Sequence, residues 1–465
     1  MGELRVGGRP GDDGARRRRQ RGWMFYDWAN SAYATTVVAV FLGPYLNAMA
    51  KEAACTQRDL GVAACATAEK VPLEFLGITL LHDSWYPYVL GLSILIQVVV
   101  LPITGAVADR SRRKVQILAL FAYVGAVATM LMYFVADGRF LLGWVLYLVA
   151  NMAFGASIVV YNAFLPEIST PDERDKISAQ GWALGYFGGG LLLGANLLLF
   201  TVHGSLGLSE GLAARISLLS AGLWWAVFTL IPISRLRNRR DAARAGPGSR
   251  VVSAGFRQLW HTLRGARSYP KTLLFLAAFL FYNDGIQSVI LLSAVYGVNE
   301  LEFDQGTVIV AFLMVQFVAF AGALALGRLA RLIGARRVVL GSLVLWTLVL
   351  VVAYFVEERA TAQFFALAAF IGFVLGGSQA LSRSLYSQMI PRGKEAEYFS
   401  LYEISERGTS WLGAVTFATV NQLTGSYRTA ILSLVAFFVV GFVLLAMVDV
   451  RRASVEAGNL PPERV

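Results

Sequence analysis

The chain has 465 residues, of which 56% are hydrophobic and 15% are charged, and its mean hydropathy is +0.58. This apolar content exceeds what one water-soluble core can bury, which excludes an ordinary soluble globular protein. The net charge of +11 lies in loops, where it favours contact with anionic lipid over a nucleic-acid site.

Runs of about 20 apolar residues cross the roughly 30 Å hydrocarbon layer of a bilayer as helices. The sequence contains twelve such runs, numbered here spans 1 to 12. It therefore predicts an all-α membrane protein with twelve transmembrane helices. Their expected extents are 23–49, 85–108, 115–136, 140–165, 177–202, 212–233, 271–297, 304–327, 337–356, 361–390, 396–423 and 427–449.

Lys and Arg residues are distributed unevenly between the two ends of these spans. If the N-terminus is cytoplasmic, 32 of the 41 basic residues fall in cytoplasmic segments and seven in the opposite loops. The remaining two, Arg383 and Arg407, fall inside predicted spans. Because cytoplasmic loops of membrane proteins are enriched in Lys and Arg, both termini are expected to be cytoplasmic.

The polar segments divide the chain into two groups of six spans. We expect a basic N-terminal tail (1–22), a six-helix bundle (23–233), an Arg-rich cytoplasmic linker (234–270), a second six-helix bundle (271–449) and a C-terminal tail (450–465). The linker is centred on the sequence GPGSR, which is typical of a connection between two folded units.

Both cysteines, Cys55 and Cys65, fall in the long outer loop 50–84 between spans 1 and 2. An oxidising exterior favours a disulfide there, and two unpaired thiols are the alternative. Two such ligands are too few for a tetrahedral metal site, so no metal is expected.

The two groups of spans repeat one another in sequence. FYDWANSAY (25–33) in span 1 is echoed by FYNDGIQSV (281–289) in span 7, and GAVADRSRRK (105–114) after span 2 is echoed by GRLARLIGARR (327–337) after span 8. Duplicated halves with the same orientation predict two pseudo-symmetric bundles that face each other across a cavity.

The segment 105–114 resembles the loop signature of the major facilitator superfamily, which has a glycine, then Asp-Arg, then paired basic residues. The resemblance implies the major facilitator fold and assigns a conformational gate to this loop. Glycine permits close helix approach, and an aspartate can pair with nearby arginines or face a helix N-terminus. The candidate gate residues are Gly105, Asp109, Arg110, Arg112 and Arg113.

A narrower resemblance rests on five motifs: FYDWANSAYATT in span 1, YNAFLPEI after span 4, GWALGYFGGG in span 5, YNDGIQS in span 7 and SQALSRSLYSQMIP in span 10. Together they are similar to the bacterial unknown-major-facilitator group, which is related to the fungal autophagy-related vacuolar amino-acid effluxers. The resemblance implies a secondary transporter in the bacterial inner membrane, with amino-acid export as the activity of the fungal branch.

Asp27 in span 1 and Asp284 in span 7 place carboxylates in predicted hydrocarbon, where a charge costs several kcal/mol unless it faces water or a partner. One interpretation is proton carriage or amine binding, because desolvation favours the protonated form of a carboxyl group. The other is structural, as a helix cap or an interhelical hydrogen bond.

Four further charges lie in spans 10 and 11. Arg383 could anchor a substrate carboxylate, or it could neutralise Glu403 or Glu406 across spans 10 and 11, and the second interpretation is favoured. Glu403 and Arg407 are four residues apart and are therefore expected to share a helix face.

Aromatic and amide side chains accompany these charges and complete the predicted binding site. An aromatic cavity with charges of both signs suits a zwitterion or a small organic cation. The additional candidates are Tyr26, Asn30, Tyr33, Asn162, Tyr186, Tyr282, Gln287 and Gln379. Plain helix packing is the alternative for many of the aromatic residues.

The sequence contains no phosphate-binding Walker loop and no recognised catalytic motif, so we expect neither an enzyme nor a bound cofactor. We expect a monomeric carrier that works by alternating access and exports a small zwitterion such as an amino acid, coupled to protons. A lipid or drug exporter of the same fold is one alternative, and a non-transporting membrane receptor or scaffold is another.

Overall fold

A computed structural model describes residues 10–68, 70–238, 264–265, 267–407 and 411–464. The described chain is almost entirely helical. Eleven of its helical segments are long and apolar enough to cross a membrane. The predicted linker is therefore described only at its two edges, since residues 239–263 and 266 lie outside the described part.

Ten of the predicted spans correspond to single long helices or to a helix with a short extension. Spans 2 to 6 are Trp85–Arg110, Lys114–Leu131 with a 3-10 turn Met132–Phe134, Phe140–Asn162, Arg174–Val202 and Glu210–Arg235. Spans 7 to 10 are Pro270–Asn299, Gln305–Ile333, Ala335–Phe355 and Thr361–Gln388, and span 12 is Tyr427–Ser433 followed by Val435–Ala446.

Span 1 begins well before its apolar stretch. It comprises Pro10–Ala32, a π-helical segment Tyr33–Phe41 and Leu42–Gln57, so the expected start at residue 23 is thirteen residues late. The basic turns of the tail continue the helix because arginine is a good helix former. Gln20, in this extension, donates hydrogen bonds to Ile168 O (2.9 Å) and to the Glu173 carboxylate (3.2 Å).

The segment predicted as span 11 (396–423) is described as two helices, Glu395–Arg407 and Trp411–Thr424, separated by residues 408–410 outside the described part. Neither piece alone is counted among the membrane-crossing helices. The expected count of twelve spans is therefore not confirmed among the described residues, in which eleven helical segments qualify. Its first helix carries Glu403, Glu406 and Arg407, whose polarity lowers the hydropathy of the segment.

The outer loop 50–84 has its own local structure, which the sequence analysis left undivided. A short helix Val62–Thr67 precedes two antiparallel strands, β1 (Pro72–Phe75) and β2 (Ile78–Leu81), with Phe75 paired to Ile78. Gly77 has a φ of +76°, a conformation that glycine adopts without strain in the tight turn. A disulfide joins Cys55 at the end of span 1 to Cys65 in the short helix.

The two halves pack face to face through spans 2, 5, 8, 10 and the first helix of span 11. Span 5 lies along spans 8 and 10, and span 2 packs against Glu395–Arg407. The end of the bundle that carries the loops after spans 2, 4, 8 and 10 is called the basic end below. Beyond span 12, a helix Val450–Glu456 and the residues after it lie against this end.

Candidate functional site

At the basic end, the two halves meet where span 2 approaches the start of Glu395–Arg407. The Asp109 carboxylate accepts hydrogen bonds from the backbone N–H groups of Ala396 (2.9 Å) and Glu397 (2.8 Å). A carboxylate is stabilised there by the positive end of the helix dipole. A side-chain Cβ at Gly105 would lie 2.5 Å from the Ala396 carbonyl oxygen, so glycine is required for this approach.

The basic residues of this loop occupy different positions. Lys114, which the site prediction omitted, is buried, with its Nζ 2.8 Å from Glu167 and 3.9 Å from Asp109. Arg110, Arg112 and Arg113 are exposed. Lys114 is the first residue of span 3, and this position directs its side chain into the bundle rather than to the surface.

A second junction at the basic end joins spans 5 and 10. Arg174 donates hydrogen bonds to Ser387 O (2.8 Å) and Gln388 Oε1 (3.0 Å), and the Asp175 carboxylate accepts one from Ser384. Gly327 of span 8 lies directly against Ala179 of span 5. Gly327 is the counterpart of Gly105 in the sequence repeat. Both glycines therefore lie at close contacts between the two halves.

Deeper in the bundle, Arg383 of span 10 forms an ion pair with Asp27 of span 1. The Arg383 Nη2 to Asp27 Oδ2 distance is 2.9 Å, and the two residues are 3% and 7% exposed. Arg383 also donates hydrogen bonds to Ser178 Oγ (2.9 Å) and to the Asn162 side chain (3.4 Å). Each half of the protein therefore contributes one charge to this buried pair.

Three aromatic rings surround the Arg383 guanidinium. Its central carbon lies 4.8 Å from the ring centre of Trp23, 5.3 Å from that of Trp182 and 5.6 Å from that of Tyr161. Such cation-π contacts offset part of the desolvation of a buried cation. Trp23, Tyr161, Trp182 and Ser178 were not among the predicted site residues, although the first three lie in or beside the quoted motifs.

The structure thus gives Arg383 a different partner from the favoured expectation, which was Glu403 or Glu406. The physical reason lies in span 5. A Cβ at Gly181 would lie 2.5 Å from Asp27 Oδ2 and 3.2 Å from Arg383 Nη2, so the missing side chain provides the space that the ion pair occupies. Helix packing by small residues brings span 1 and span 10 within reach of each other.

Glu403 belongs to a neighbouring polar cluster that also joins the halves. Its carboxylate accepts hydrogen bonds from Asn162 Nδ2 (2.9 Å) and from Arg407 Nε (3.2 Å), four residues along the same helix. The Arg407 guanidinium lies 4.9 Å from the ring centre of Phe154 in span 4. Arg407 is 23% exposed on its side chain and Glu406 is half-buried, so this cluster is less completely buried than the Asp27–Arg383 pair.

Asp284 lies apart from both clusters. Its Oδ2 accepts a hydrogen bond from the backbone N–H of Gly413 (2.7 Å), near the start of Trp411–Thr424, and the residue is fully buried. Among the described residues, Oδ1 finds no hydrogen-bond partner. Ser288, one turn along span 7, packs directly against Gly413.

The remaining predicted residues divide between the two halves. Tyr26 and Tyr33 are buried in the first half, with their rings 4.9 Å from Tyr161 and 5.0 Å from Phe154. In the second half, the Tyr282 hydroxyl lies 2.7 Å from Ser382 Oγ. These three tyrosines pack within their own half.

The polar and half-buried candidates complete the set. Gln379 donates a hydrogen bond to Asn283 Oδ1 (2.9 Å), and Asn30 is buried in span 1. The half-buried Tyr186 packs 5.6 Å from Trp182, beside the cage around Arg383, and Gln287 is also half-buried.

Comparison with known proteins agrees with this architecture. The chain is 29% identical over 433 residues to the uncharacterized MFS-type transporter YxiO of Bacillus subtilis, covering 93% of this chain and 95% of that protein. It is 27% identical over 475 residues to autophagy-related protein 22 of Yarrowia lipolytica, covering 83% of this chain and 79% of that protein.

Solved structures of major facilitator transporters show the same fold. The human organic anion transporter MFSD10 matches with a TM-score of 0.66 at 15% identity, covering 94% of this chain and all of that chain. The transporter FucP in its outward conformation matches with a TM-score of 0.62 at 13% identity, covering 93% and 98%. Residues 15–458 match the family described as vacuole effluxer Atg22 like. The chain therefore belongs to the vacuole effluxer Atg22-like family, and it is a membrane transporter of the major facilitator superfamily rather than an enzyme.

Proposed function

We propose that this transporter exports a small zwitterion, such as an amino acid, in exchange for protons, by alternating access of the space between its two halves. The observation that carries the proposal is the buried Asp27–Arg383 ion pair, which joins span 1 to span 10 inside an aromatic cage. The effluxer description of the family supports the direction of transport.

Charges of both signs at the interface suit a substrate that has both an ammonium group and a carboxylate. Arg383 supplies a guanidinium, which binds carboxylates in bidentate geometry. Asp27, Glu403 and Glu406 supply negative charge for the ammonium group, and the aromatic cage supports a cation by its ring faces. Glu406 and Arg407 are half-buried, so they are the more accessible members of the cluster.

Protonation of Asp27 provides the coupling. Breaking a buried ion pair by removing one charge costs about 3–5 kcal/mol, because the partner is left uncompensated. A bound substrate can place its ammonium group on charged Asp27 and its carboxylate on Arg383. When Asp27 takes up a proton on the other side of the membrane, it no longer holds the ammonium group and the substrate leaves. Loss of that proton on the first side restores the ion pair, so proton and substrate alternate on the carrier.

The contacts at the basic end act as the gate. Asp109 on the N-terminus of Glu395–Arg407 and Arg174 on the end of span 10 hold the halves together at this end, together with the Asp27–Arg383 pair. Opening this end requires all three contacts to separate. The helix that begins at Pro10 and the segment after span 12 reach the basic end. This end and both termini are proposed to be cytoplasmic in the inner membrane, in line with the distribution of basic residues.

Counterflow in proteoliposomes tests the proposal. Vesicles loaded with a mixture of unlabelled amino acids are expected to accumulate a labelled amino acid, more strongly when a pH gradient is imposed. Asp27→Asn and Arg383→Ala are expected to abolish this uptake. Arg359→Ala is the matched control, since it removes an exposed ion pair with Glu302 at the opposite end of the bundle.

Each alternative gives a distinct result. Uptake of a fluorescent lipid or a lipophilic cation without amino-acid counterflow would replace the zwitterion by an apolar substrate. Full counterflow by well-folded Asp27→Asn would contradict the role of the ion pair in coupling.

A further inference from the structure

A cavity of about 720 Å³ lies at the basic end, outside the Asp27–Arg383 site. The backbone N–H of its lining residue Glu463 donates a hydrogen bond to Asp172 of the first half (2.8 Å). The cavity is formed between the loop after span 8 and the end of span 12, and the C-terminal segment closes one side of it. Four arginines line it, namely Arg336, Arg337, Arg451 and Arg464. Neither the transport site nor the gate uses any of these residues.

Backbone contacts fix the first two guanidinium groups. Arg336, at the start of span 9, donates hydrogen bonds from Nε and Nη2 to the carbonyl oxygens of Leu445 and Ala446 at the end of span 12. Arg337 donates from Nη1 to Ile333 O (3.1 Å). Because a guanidinium has five N–H groups, these bonds use only part of the donor capacity.

The other two arginines come from the C-terminal segment. Arg464 donates from Nη1 to Leu332 O (2.8 Å) and Arg331 O (3.2 Å) at the end of span 8, and Arg451 donates from Nη2 to Glu463 O (2.9 Å). The returning tail is thus held against span 8 and completes the cavity. Carbonyls at helix ends are natural partners for cations.

The cavity has an excess of positive charge. Its lining includes two acidic residues, Asp449 and Glu463, against the four arginines. The Asp449 carboxylate accepts a hydrogen bond from Arg452 N (3.0 Å) as the cap of Val450–Glu456. The charges of the lining residues leave an excess of two positive charges, which an anion of charge −2 would neutralise and an anion of charge −1 would halve.

We propose that this cavity binds the phosphate group of an anionic phospholipid. Several arginines that converge on one cavity match the geometry of phosphate oxygens, and basic pockets at this depth suit lipid head groups. Leu332 and Met447 also line the cavity and are 65% and 59% exposed, so an acyl chain can lie beside the head group. Free phosphate shares the same chemistry and is distinguished by the experiment below.

Thermal unfolding of the full chain in neutral detergent tests this site, since a ligand that binds the folded state raises the unfolding midpoint. Phosphatidylglycerol, phosphatidylcholine and inorganic phosphate are titrated separately at equal ionic strength. Phosphatidylglycerol is expected to raise the midpoint, and phosphatidylcholine is not. In the double variant Arg337→Gln, Arg451→Gln, the apparent affinity for phosphatidylglycerol is expected to fall at least about tenfold.

The matched control is Arg452→Gln, Arg359→Gln, which removes the same number of charges from outside the cavity. Arg452 lies on the same short helix as Arg451 but pairs with Glu456 (2.9 Å). If inorganic phosphate also raises the unfolding midpoint and the cavity variant loses this rise, the result would support an anion site and assign it to a soluble phosphate. Equal affinities in the cavity variant and the control, or equal shifts with both lipids in all variants, would overturn the proposal.

Discussion

The two copies of the Phe-Tyr motif place acidic residues in spans 1 and 7, yet the two aspartates make different contacts. Asp27 of span 1 pairs across the interface with Arg383 of span 10. Asp284 of span 7 bonds to the backbone of Gly413 within its own half. Aligned by Phe25 and Phe281, the counterpart of Asp27 is Asn283 rather than Asp284.

Asn283, like Asp27, contacts span 10, but the contact is a hydrogen bond between two neutral amides rather than an ion pair. It accepts a hydrogen bond from Gln379, which lies one turn before Arg383 in span 10. Span 10 therefore contacts the Asn283 amide of its own half through Gln379 and the Asp27 carboxylate of the other half through Arg383. A shift of one residue turns a helical side chain by about 100°, which directs Asp284 towards span 11. The two copies share the Phe-Tyr motif, but the aligned position carries a charge only in the first copy, as Asp27, and is Asn283 in the second.

The largest loss of stability is expected when Arg383 is removed from the Asp27–Arg383 pair, which has no charged counterpart at the aligned residue Asn283. Arg383→Ala leaves Asp27 buried without its partner and should lower the free energy of unfolding by about 3–5 kcal/mol. Chemical denaturation in detergent measures this change. The double variant Asp27→Ala, Arg383→Ala should recover part of the loss, and strict additivity of the two single changes would contradict direct coupling.

The second-largest loss of stability is expected from filling the space that the Asp27–Arg383 pair occupies. Gly181→Ala places a Cβ 2.5 Å from Asp27 Oδ2, and overpacking of this kind costs about 1–3 kcal/mol. Gly194→Ala in the same helix is the control, because its nearest neighbour, Leu313, is 3.7 Å away. Unfolding midpoints that agree for the two variants would show that Gly181 is not constrained by the ion pair.

A smaller effect is expected at the gate. Asp109→Ala removes two hydrogen bonds to the N-terminus of Glu395–Arg407, and losing such a cap costs about 0.5–2 kcal/mol. The basic end should then open more often. The rate at which a membrane-impermeant maleimide labels Ser384→Cys should rise, whereas Asp304→Ala, which removes a cap at the opposite end, should leave the rate unchanged.

The smallest effect should follow from Asp284→Asn. An asparagine oxygen can still accept the hydrogen bond from Gly413 N, so the loss in the free energy of unfolding should stay below about 1 kcal/mol. Asp27→Asn should cost more, since it leaves Arg383 buried without a charged partner. Equal losses in these two variants would remove the distinction between the two copies.

Parts of the architecture were predictable because they depend on local pattern. Apolar runs of spanning length gave ten of the twelve helices near their expected limits, and the helical start at Pro10 was missed because its residues are polar. Span 11 is helical over Glu395–Arg407 and Trp411–Thr424, on either side of residues that lie outside the described part. The hairpin of β1 and β2 depends on a short turn, for which Leu76-Gly77 gave only a weak signal.

The candidate site was only partly predictable, because its contacts join residues that are far apart in the sequence. Every charge inside a span was identifiable, since ionisable residues stand out against hydrocarbon. Tyr161 lies in a quoted motif and Trp23 lies two residues before one, but neither ring stands out from its neighbours in sequence, and Ser178 gives no signal at all. Lys114 belongs to the gate motif but is not among its candidate residues, because the sequence does not show which way a residue at a helix start will point.

The sequence by itself determined that this is a membrane protein, that short motifs recur in its two halves, and that a few charged residues fall inside apolar spans. Only the tertiary structure decided that Arg383 pairs with Asp27, which lies 356 residues away. The reason is that partners on separate helices depend on how the helices are rotated and how closely they pack. Here that packing is set by missing side chains such as that of Gly181, whose neighbours no local pattern reveals.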